Sequence, residues 1–389
     1  MWRRILGVLT AAALTLCLLP VTARAAELEI AAPSAVLMEA STGTVLYEKD
    51  AHARLAPASV TKVMTLLLVL EALDRGQIGW DDMVTASETA AAKGGSQVYL
   101  EVGEQMSMDE MLKSVVVSSA NDCATALAEH VAGSEAAFVE KMNQRAEELG
   151  MADTHFVNCT GLDDDPDAAE HLTSAYDIAV MSRELLKHDE IRKYTTIWMD
   201  TVRGGEFGLA NTNKLVRFYE GTTGLKTGYT SAAGHCLSAS AKRNGVEFIA
   251  VVLHCVSSGD RFQSAKQLLD YGFANYALAQ PDTSVEIPAV EVVLGTQASI
   301  TPVLSDATPV LIEKSQQNSI TTQIEVAEQV KAPVEAGQRL GTLTLQADGA
   351  PLAAIPLVAP EAVAKRTWWD ITKELLRAIC FAPPQRAEG

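Results

Sequence analysis

A serine and a lysine three residues apart stand at the head of one of the most apolar runs in the chain, APASVTKVMTLLLVLEAL, residues 56–73. If a helix begins near Ser59, the side chains of Ser59 and Lys62 lie on the same face, one turn apart. A serine hydroxyl is a poor nucleophile until a base takes its proton. Lysine can be that base when burial disfavours its ammonium form, and the positive helix N-terminus would help to stabilise an oxyanion. The pair therefore predicts a serine nucleophile with a lysine base.

Two further short motifs strengthen this interpretation. Ser-x-x-Lys alone occurs about once by chance in a chain of this length, and a capping serine followed by a solvated lysine is the favoured explanation for this motif by itself. The motif Ser-Ala-Asn at 119–121 lies in the apolar segment SVVVSSANDCATALAE, where a break between helices is the simpler explanation. The motif Lys-Thr-Gly at 226–228 lies just before two predicted strands, where a glycine-rich turn is the simpler explanation. All three motifs in this order are much rarer by chance than any one of them.

The elements that must hold these residues form a pattern with strands at both ends and helices between them. The segment AVLMEASTGTVLYEK, 35–49, predicts a hairpin, and GHCLSASAKRNGVEFIAVVLHC, 234–255, predicts two strands joined by an Asn-Gly turn. Helices are predicted from Ser59 to Leu73, over 107–150 with breaks near Gly133 and Gly150, over 174–187 with Thr173 or Ser174 as cap, and over 260–278. Residues 26–278 can therefore form one sheet from both ends of the segment, with helices packed around it.

The remainder of the chain has a different composition. From 281 to 360, Val, Ile and Thr alternate with polar residues and helical periodicity disappears, which predicts a small all-β module. The tail, 361–389, is helical again, and its apolar face contains Trp368, Trp369, Ile371, Leu375, Leu376, Ile379 and Phe381. The same segment carries the basic residues Lys365, Arg366, Lys373 and Arg377. Such an amphipathic helix suits a membrane interface, and packing on the β module or on another chain is the alternative.

Length, charge and the first residues limit the possibilities further. The chain has 389 residues and a net charge of −18, so we expect two or more domains and no nucleic-acid partner. Residues 1–25, MWRRILGVLTAAALTLCLLPVTARA, are typical of a signal peptide with small residues at Ala23 and Ala25, and an uncleaved anchor is the alternative. The later cysteines form no Cys-x-x-Cys, so a disulfide framework is not indicated, although Cys236 and Cys255 could pair if their strands are neighbours.

The motifs and their order resemble those of class A β-lactamases and penicillin-binding proteins. In detail, the sequence resembles the serine D-alanyl-D-alanine carboxypeptidases, also called low-molecular-mass penicillin-binding proteins, of the peptidase family S11 type. The resemblance covers most of the chain. The segments that carry it are ASVTKVMT, SANDCATALAEHVAGSEAAF, LGMADTHFVNCTGL, NTNKLVRFYEGTTGLKTGYT and DRFQSAKQLLDYGF. The sequence looks most like the branch found in spore-forming Gram-positive bacteria.

The resemblance implies a fold, a set of partners and a location. The fold would be α/β (α+β): a penicillin-binding-protein or β-lactamase-like transpeptidase domain with an antiparallel sheet and a helical subdomain, then a small all-β sandwich domain and a C-terminal amphipathic helix. The substrate would be the peptidoglycan stem peptide, β-lactam antibiotics would inhibit, and no cofactor or metal would be needed. The protein would be exported and peripheral on the outer face of the cytoplasmic membrane, bound to the membrane surface through its tail helix.

The resemblance also implies roles in catalysis. Ser59 would attack the carbonyl of the D-Ala-D-Ala peptide bond, with Lys62 as its general base. Ser119 would relay a proton to the leaving D-alanine. The backbone N–H groups of Ser59 and Tyr229 would form the oxyanion hole. Tyr229 stands where some members of the family have histidine, which leaves the substrate preference open.

Further roles in substrate binding follow from the same resemblance. Asn121 would hold the substrate amide. Lys226 and Thr227, followed by Gly228, would bind the terminal carboxylate. Arg261 is a further candidate for the carboxylate end.

Three other functions compete with the carboxypeptidase. A β-lactamase would need a carboxylate that activates the deacylating water, and no convincing Glu-x-x-Leu-Asn element lies between Asn121 and Lys226, where the acidic run 163–165 is typical of a solvated loop. A non-catalytic cell-wall binding protein could keep the same fold, but the three intact motifs argue against it. A zinc carboxypeptidase would need ligand spacing such as His-Glu-x-x-His, which the seven histidines do not form.

Overall fold

The computed structural model describes residues 28–164, 166–281, 285–306 and 309–381. The predicted signal peptide and Asp165 lie outside the described residues, as do the side chains of Leu375, Ile379, Cys380 and Phe381. Residues 1–30 form a unit of their own, of which only 28–30 are described, and Ala31–Gly389 form the second compact unit. The elements below belong to this second unit.

The first part of this unit, up to Ala279, alternates between strands and helices. Its strands are β1 (Ser34–Glu39), β2 (Val45–Lys49), β3 (Met83–Thr85), β4 (Gln105–Ser107), β5 (Met199–Val202), β6 (Phe207–Ala210), β7 (Thr222–Thr230), β8 (Gly234–Arg243), β9 (Val246–Cys255) and β10 (Tyr276–Ala279). Its α-helices are α1 (Lys62–Asp74), α2 (Glu88–Ala91), α3 (Met108–Val117), α4 (Asn121–Ala132), α5 (Glu135–Glu148), α6 (Ala175–Leu185), α7 (Arg192–Thr195), α8 (Leu215–Phe218) and α9 (Ser258–Asn275). Short 3-10 turns lie at Ala58–Thr61, Ala168–Glu170, Asp189–Ile191 and Arg203–Gly205.

A five-stranded antiparallel sheet joins the two ends of this part, in the order β2-β1-β9-β8-β7. The predicted hairpin over 35–49 and the predicted strand pair over 234–255 are confirmed, and β1 pairs with β9 across the long helical insertion. The sheet therefore closes through a contact between residues more than two hundred positions apart, such as Val36 and Val251. The antiparallel sheet and helical subdomain expected from the resemblance are present.

Helices cover both faces of the sheet. The Ser182 hydroxyl of α6 lies 2.8 Å from the Ser238 hydroxyl of β8, which pairs with Val251 of β9. On α9, a Cβ added to Gly272 would lie 2.9 Å from the ring of Phe248, an even-numbered residue of β9. Paired residues of neighbouring strands point to the same face of a sheet, so Ser238 and the odd-numbered Val251 face α6, whereas the even-numbered Phe248 faces α9. Since side chains alternate between the two faces of a strand, α6 and α9 lie on opposite sides of the sheet. Burial on both sides explains why β9 is an almost continuous apolar run.

The helix ends follow sequence signals. Four of the helices have a serine as the capping residue just before their first turn, and its hydroxyl accepts a hydrogen bond from a backbone N–H of that turn. These serines are Ser107 before α3, Ser134 before α5, Ser174 before α6 and Ser257 before α9. Gly133 ends α4 with a φ of +82°, a conformation that glycine adopts without strain. The predicted helix breaks and the cap at Ser174 are therefore confirmed.

The chain beyond Ala279 is mainly β, as predicted. Its strands are β11 (Val290–Val293), β12 (Ser299–Ile300), β13 (Val303–Leu304), β14 (Val310–Glu313), β15 (Ile320–Val326), β16 (Gln329–Lys331), β17 (Arg339–Ala347) and β18 (Ala350–Val358), followed by helix α10 (Trp368–Phe381). The described strands form sheets in the orders β12-β11-β16 and β13-β18-β17-β15, and β14 pairs with β10. Small apolar clusters fill this region, one around Val292 and Leu340 and another around Leu343 and Leu357.

The structure corrects two predictions near the motifs. Helix α1 begins at Lys62, and Ser59 lies in the preceding 3-10 turn, Ala58–Thr61, whose first residue has a φ of +48°. The Lys-Thr-Gly motif lies inside β7 and does not precede the strands, because residues 222–230 pair along the whole of β8. The sheet thus has one more strand on this side than the sequence predicts.

Two helix boundaries are also corrected. Helix α9 ends at Asn275, and the next four residues pair with β14 and do not extend the helix. The tail helix begins at Trp368, since Val363 and Lys365 still bridge to the β region. In both cases long-range strand pairing overrides a local helical pattern.

Two further findings concern membrane spans and thiols. Among the described residues, no helix is long and apolar enough to cross a membrane. Cys123, Cys159, Cys236 and Cys255 are free and buried, so the Cys236–Cys255 disulfide that the sequence left open is not formed.

A glycine in the loop above the 3-10 turn gives the first prediction. Gly161 has a φ of +79°, and an added Cβ would lie 1.8 Å from the main-chain oxygen of Ala58. We expect Gly161→Ala to lower the free energy of unfolding by about 2 kcal/mol or more, because a backbone penalty and a steric clash add together. Urea unfolding of the purified protein measures the change.

The matched control is Gly150→Ala, since Gly150 has a φ of +73° but no atom within 4 Å of an added Cβ. That variant carries the backbone penalty alone. Equal destabilisation by the two substitutions would contradict the close packing of the loop on the turn.

Candidate active site

The turn before α1 presents a serine next to a buried lysine. The Ser59 hydroxyl is partly exposed, and Lys62 Nζ lies 3.0 Å from its oxygen. Lys62 itself has no exposed surface, because α1 is buried along almost its whole length. The two predicted residues are therefore in contact, although the serine is held by a 3-10 turn and the lysine by the helix.

The surroundings of Lys62 suit a neutral amine. Its Nζ donates to Asn121 Oδ1 at 2.5 Å and to the main-chain oxygen of Thr160 at 2.8 Å. Both of these oxygens can only accept hydrogen bonds, so they take the two N–H bonds of a neutral amine and leave its lone pair for the Ser59 proton. Burial lowers the pKa of Lys62 to about 7, against the opposing influence of Cys159 and Asp122. A large share of the enzyme thus carries this base in its reactive form near neutral pH.

A second serine and lysine lie opposite the first pair. Ser119 occupies the break between α3 and α4 with a φ of +66°, and its hydroxyl accepts a 2.9 Å hydrogen bond from Lys226 Nζ. Lys226 lies on β7, is 1 % exposed and also donates to the main-chain oxygen of Thr227. Burial, and then the positive charges of Lys62 and Arg261, hold the pKa of Lys226 well below its usual value. Two buried lysines therefore compete for protonation in one site.

The amide of Asn121 connects Lys62 to a further segment. Its Nδ2 donates to the Gly94 oxygen at 2.7 Å, and its backbone N–H donates to the Ser96 oxygen at 2.7 Å. Gly95 is in close approach, since an added Cβ would lie 2.8 Å from Nδ2. The amide thus has a fixed orientation, with its oxygen toward Lys62, and one remaining N–H bond is available to a ligand.

Strand β7 lies directly against the nucleophile turn. A Cβ added to Gly228 would lie 2.6 Å from the Pro57 oxygen and 3.0 Å from the Ser59 nitrogen, so only glycine permits this approach. Tyr229 follows with its ring 58 % exposed and stacked on His235, at 4.4 Å between ring centroids. The Thr227 hydroxyl donates to Thr212 at 2.7 Å. The Lys-Thr-Gly motif therefore lies directly beside the turn that carries Ser59.

Arg261 lies behind this strand. Its Nη1 donates to the main-chain oxygens of Gly228, at 2.9 Å, and Cys236, at 3.3 Å, and the residue is only 8 % exposed. Burial lowers the pKa of its guanidinium. Arg261 thus hydrogen-bonds to the backbones of β7 and β8 next to the Lys-Thr-Gly motif. The sequence predicts that this motif and Arg261 bind the same group, the terminal carboxylate of the substrate.

Several groups in the site are not predicted from the sequence. Lys62 depends on the main-chain oxygen of Thr160, and Asn121 depends on those of Gly94 and Ser96, but a main-chain carbonyl gives no signal in residue type. The Asp122 carboxylate accepts hydrogen bonds from the backbone N–H groups of Val98 and Leu100, and so it also holds the segment that contains Gly94 and Ser96. The glycines at 95 and 161 were the available signal, because close backbone approach favours that residue.

Fold and site together define a serine enzyme of the acyl-transfer class. The chain belongs to the D-alanyl-D-alanine carboxypeptidase family, peptidase family S11, whose model matches residues 21–257, and residues 273–365 match the C-terminal domain of penicillin-binding protein 5. The chain is 43 % identical to the D-alanyl-D-alanine carboxypeptidase DacF of Bacillus subtilis, over 90 % of this chain and 92 % of that protein.

Solved structures agree with this assignment. Penicillin-binding protein 5 from Haemophilus influenzae superposes with a TM-score of 0.76 at 31 % identity, covering 87 % of this chain and 98 % of that one. Penicillin-binding protein D2 from Listeria monocytogenes, solved in an ampicillin-bound form, gives a TM-score of 0.58 at 31 % identity and covers 64 % of this chain and 99 % of that one. The family, the fold class and the serine carboxypeptidase activity predicted from the sequence are therefore confirmed.

The lowered pKa of Lys62 gives the second prediction. Since the neutral amine is the base and the ammonium form has no lone pair, activity is lost as the pH falls through the pKa of about 7. We expect kcat/KM for D-alanine release to fall about tenfold per pH unit below that value, as kcat/KM reports the free enzyme. Initial rates between pH 5.5 and 9 measure it.

The control is the thermal unfolding temperature at each pH, which separates loss of the base from loss of the fold. A flat profile down to pH 5.5 in a protein that remains folded would contradict Lys62 as the titrating base.

Proposed function

We propose that this chain removes the terminal D-alanine from peptidoglycan stem pentapeptides through an acyl-enzyme on Ser59. The observation that carries the proposal is the buried amine of Lys62, whose Nζ is within hydrogen-bond distance of the Asn121 and Thr160 oxygens and lies 3.0 Å from the Ser59 hydroxyl oxygen.

Acylation begins when Lys62 takes the Ser59 proton. The Ser59 oxygen attacks the carbonyl carbon between the two D-alanines, and the N–H groups of Ser59 and Tyr229 stabilise the oxyanion. Ser119 passes a proton to the leaving nitrogen and takes the Lys62 proton in its place, so the C–N bond breaks, free D-alanine departs and Lys62 is neutral again. The hydrogen bond from Lys226 to Ser119 supports this route, since it orients the hydroxyl that must donate.

Substrate binding depends on the second lysine. The carboxylate of the terminal D-alanine would bind to Lys226 and to the Thr227 hydroxyl, with Arg261 holding the strand that carries them. A carboxylate brings a negative charge next to a buried amine, so substrate binding and protonation of Lys226 favour each other. Asn121 would bind the substrate amide through its remaining N–H bond.

Deacylation uses the same base in a second cycle. Water attacks the acyl carbon and gives a proton to Lys62, the ester bond to the Ser59 oxygen breaks, and that oxygen receives the proton back. The products are the shortened stem peptide and the free enzyme, so the reaction needs no cofactor.

A β-lactam would acylate the same serine, since its strained amide and carboxylate resemble the D-Ala-D-Ala end. The ampicillin-bound form of the Listeria neighbour supports this proposal. Fast hydrolysis of the drug would need a carboxylate base for water. In the part of the chain that the structure describes, no hydrogen bond of Ser59 or Lys62 involves a carboxylate, and the nearby Asp122 is occupied by backbone N–H groups. The carboxypeptidase is therefore favoured over the β-lactamase.

The nucleophile assignment gives the third prediction. The protein from residue 26 onward should release D-alanine from diacyl-L-Lys-D-Ala-D-Ala, and Ser59→Ala should lower that rate by about a thousandfold or more, because no other group replaces the nucleophile. Coupled detection of D-alanine measures the rate, and mass spectrometry of the penicillin-treated protein locates the label.

The control is Ser118→Ala, which removes a hydroxyl next to Ser119 that only donates to the Ser114 oxygen. This variant should keep the activity. Release by Ser59→Ala at the full rate, or rapid turnover of nitrocefin by the unmodified protein, would overturn the proposal in favour of another nucleophile or a β-lactamase.

We further propose that the tail binds the protein to the outer face of the cytoplasmic membrane after export. On α10, Trp368 is 78 % and Trp369 is 70 % exposed, and Leu376 is 56 % exposed. Lys373 and Arg377 lie on the same helix in a chain whose net charge is −18. Exposed tryptophans together with cations favour the surface of an anionic bilayer.

The fourth prediction tests this tail. The chain should sediment with vesicles that contain phosphatidylglycerol, and a chain ending at Thr367 should remain in the supernatant with its carboxypeptidase activity unchanged. The truncation keeps Arg366, which donates to the Gly295 oxygen, so this hydrogen bond between the end of the shortened chain and the β region is retained. Full-length protein that stays in the supernatant at low salt would identify α10 as a packing helix.

A further inference from the structure

The backbone just before the nucleophile has an unusual conformation that its surroundings must hold. Ala58 has a φ of +48°, which costs a residue with a Cβ free energy. Its main-chain oxygen accepts a 2.8 Å hydrogen bond from the Thr61 hydroxyl and is covered by Gly161. The direction of the Ser59 side chain follows from this peptide, so whatever holds Thr61 also aims the nucleophile.

Thr61 is held by a buried histidine. His171 is 3 % exposed, and its Nε2 lies 2.8 Å from the Thr61 hydroxyl oxygen. Its Nδ1 accepts from the backbone N–H of Val157 at 3.0 Å and, more distantly, from that of Asn158 at 3.5 Å. Because a backbone N–H only donates, Nδ1 carries no proton, and the proton is on Nε2. The donors then run in one direction, from His171 to Thr61 and from Thr61 to Ala58.

The other side of the imidazole holds the segment that orients the base. Asn158 Oδ1 accepts from the N–H groups of Thr160, at 3.1 Å, and Gly161, at 2.7 Å. Thr160 supplies the main-chain oxygen to Lys62. His171 therefore bridges two segments, one that aims the Ser59 hydroxyl and one that orients the Lys62 amine.

We infer that His171 is a positioning residue for acylation: its imidazole, through Thr61 on one side and the 157–161 segment on the other, sets the alignment of Ser59 with Lys62. It touches neither the substrate nor the reacting atoms. The inference rests on the proposed acylation of Ser59 by way of Lys62. The alternative is a merely structural histidine, packed with its ring 5.7 Å from that of Phe156.

The test compares acylation with folding. Stopped-flow labelling by a fluorescent penicillin between pH 6 and 9 gives the acylation rate constant and the pH midpoint, and thermal unfolding gives stability. We expect His171→Phe to acylate about a hundredfold more slowly, because small misplacements of reacting groups have effects of that size. Its midpoint should move to higher pH, since a looser, wetter site allows Lys62 to keep its proton.

Two more variants separate positioning from packing. His171→Gln keeps a hydrogen-bond donor near the position of Nε2, so it should acylate about tenfold faster than His171→Phe. Thr61→Val is close in shape to threonine and removes only the connecting hydroxyl, so it should slow acylation even if His171→Phe folds poorly. The double variant of Thr61→Val with His171→Gln should lose less than the sum of the two single losses, because both substitutions remove the same contact between Thr61 and His171.

The control is His155→Phe, since His155 is an exposed histidine whose Nδ1 lies 3.2 Å from the Glu170 oxygen. It should acylate at the unmodified rate. An unchanged rate and midpoint in His171→Gln and Thr61→Val, or strictly additive losses in the double variant, would overturn the inference. Failure of the unmodified chain to acylate at all would overturn the proposed function itself, and the inference with it.

Discussion

The site depends on one unfavourable event, the removal of the Lys62 amine from water. An ammonium ion buried without a counter-charge would destabilise the fold. Burial therefore lowers the pKa of Lys62 to about 7, and the amine loses its proton near neutral pH. The oxygens of Asn121 and Thr160 compensate for the lost hydration by taking two N–H bonds. What remains is a lone pair directed at Ser59. The reactivity of the serine is therefore a consequence of how the apolar helix α1 is buried.

The rest of the fold brings distant backbone segments to this amine. Strand β7 approaches the nucleophile turn closely enough that only glycine fits at position 228, and the loop above the turn needs glycine at position 161 for the same reason. The break between α3 and α4 turns Ser119 toward Lys226 through a positive φ. None of these contacts is local. The antiparallel sheet is what keeps them aligned, since β1 and β7 to β9 come from opposite ends of the domain.

The second buried lysine, Lys226, makes the site sensitive to the charge of a bound ligand. Lys226 is disfavoured as a cation by burial and by the neighbouring positive charges of Lys62 and Arg261. An anionic substrate end relieves this repulsion where a neutral peptide would not. The burial that lowers the pKa of Lys62 and of Lys226 thus also favours a ligand with a free carboxylate. In the proposed mechanism, substrate recognition and activation of the nucleophile both depend on this pair of buried amines.

The amino-acid sequence by itself was enough to select the side chains to which the proposed chemistry is assigned, because Ser59, Lys62, Ser119, Asn121 and Lys226 belong to short motifs whose residue types are distinctive. It also determined the hairpin, most helices and the change to β structure after Ala279, since periodicity and caps are local. The folded chain was needed to show that Ser59 precedes the helix, that the Lys-Thr-Gly motif lies in a strand, and that Thr160, Gly94 and His171 contact the motif residues or their neighbours. The physical reason is that these features depend on main-chain groups and strand pairing between residues far apart in the chain, and a main-chain carbonyl or N–H group is the same in almost every residue.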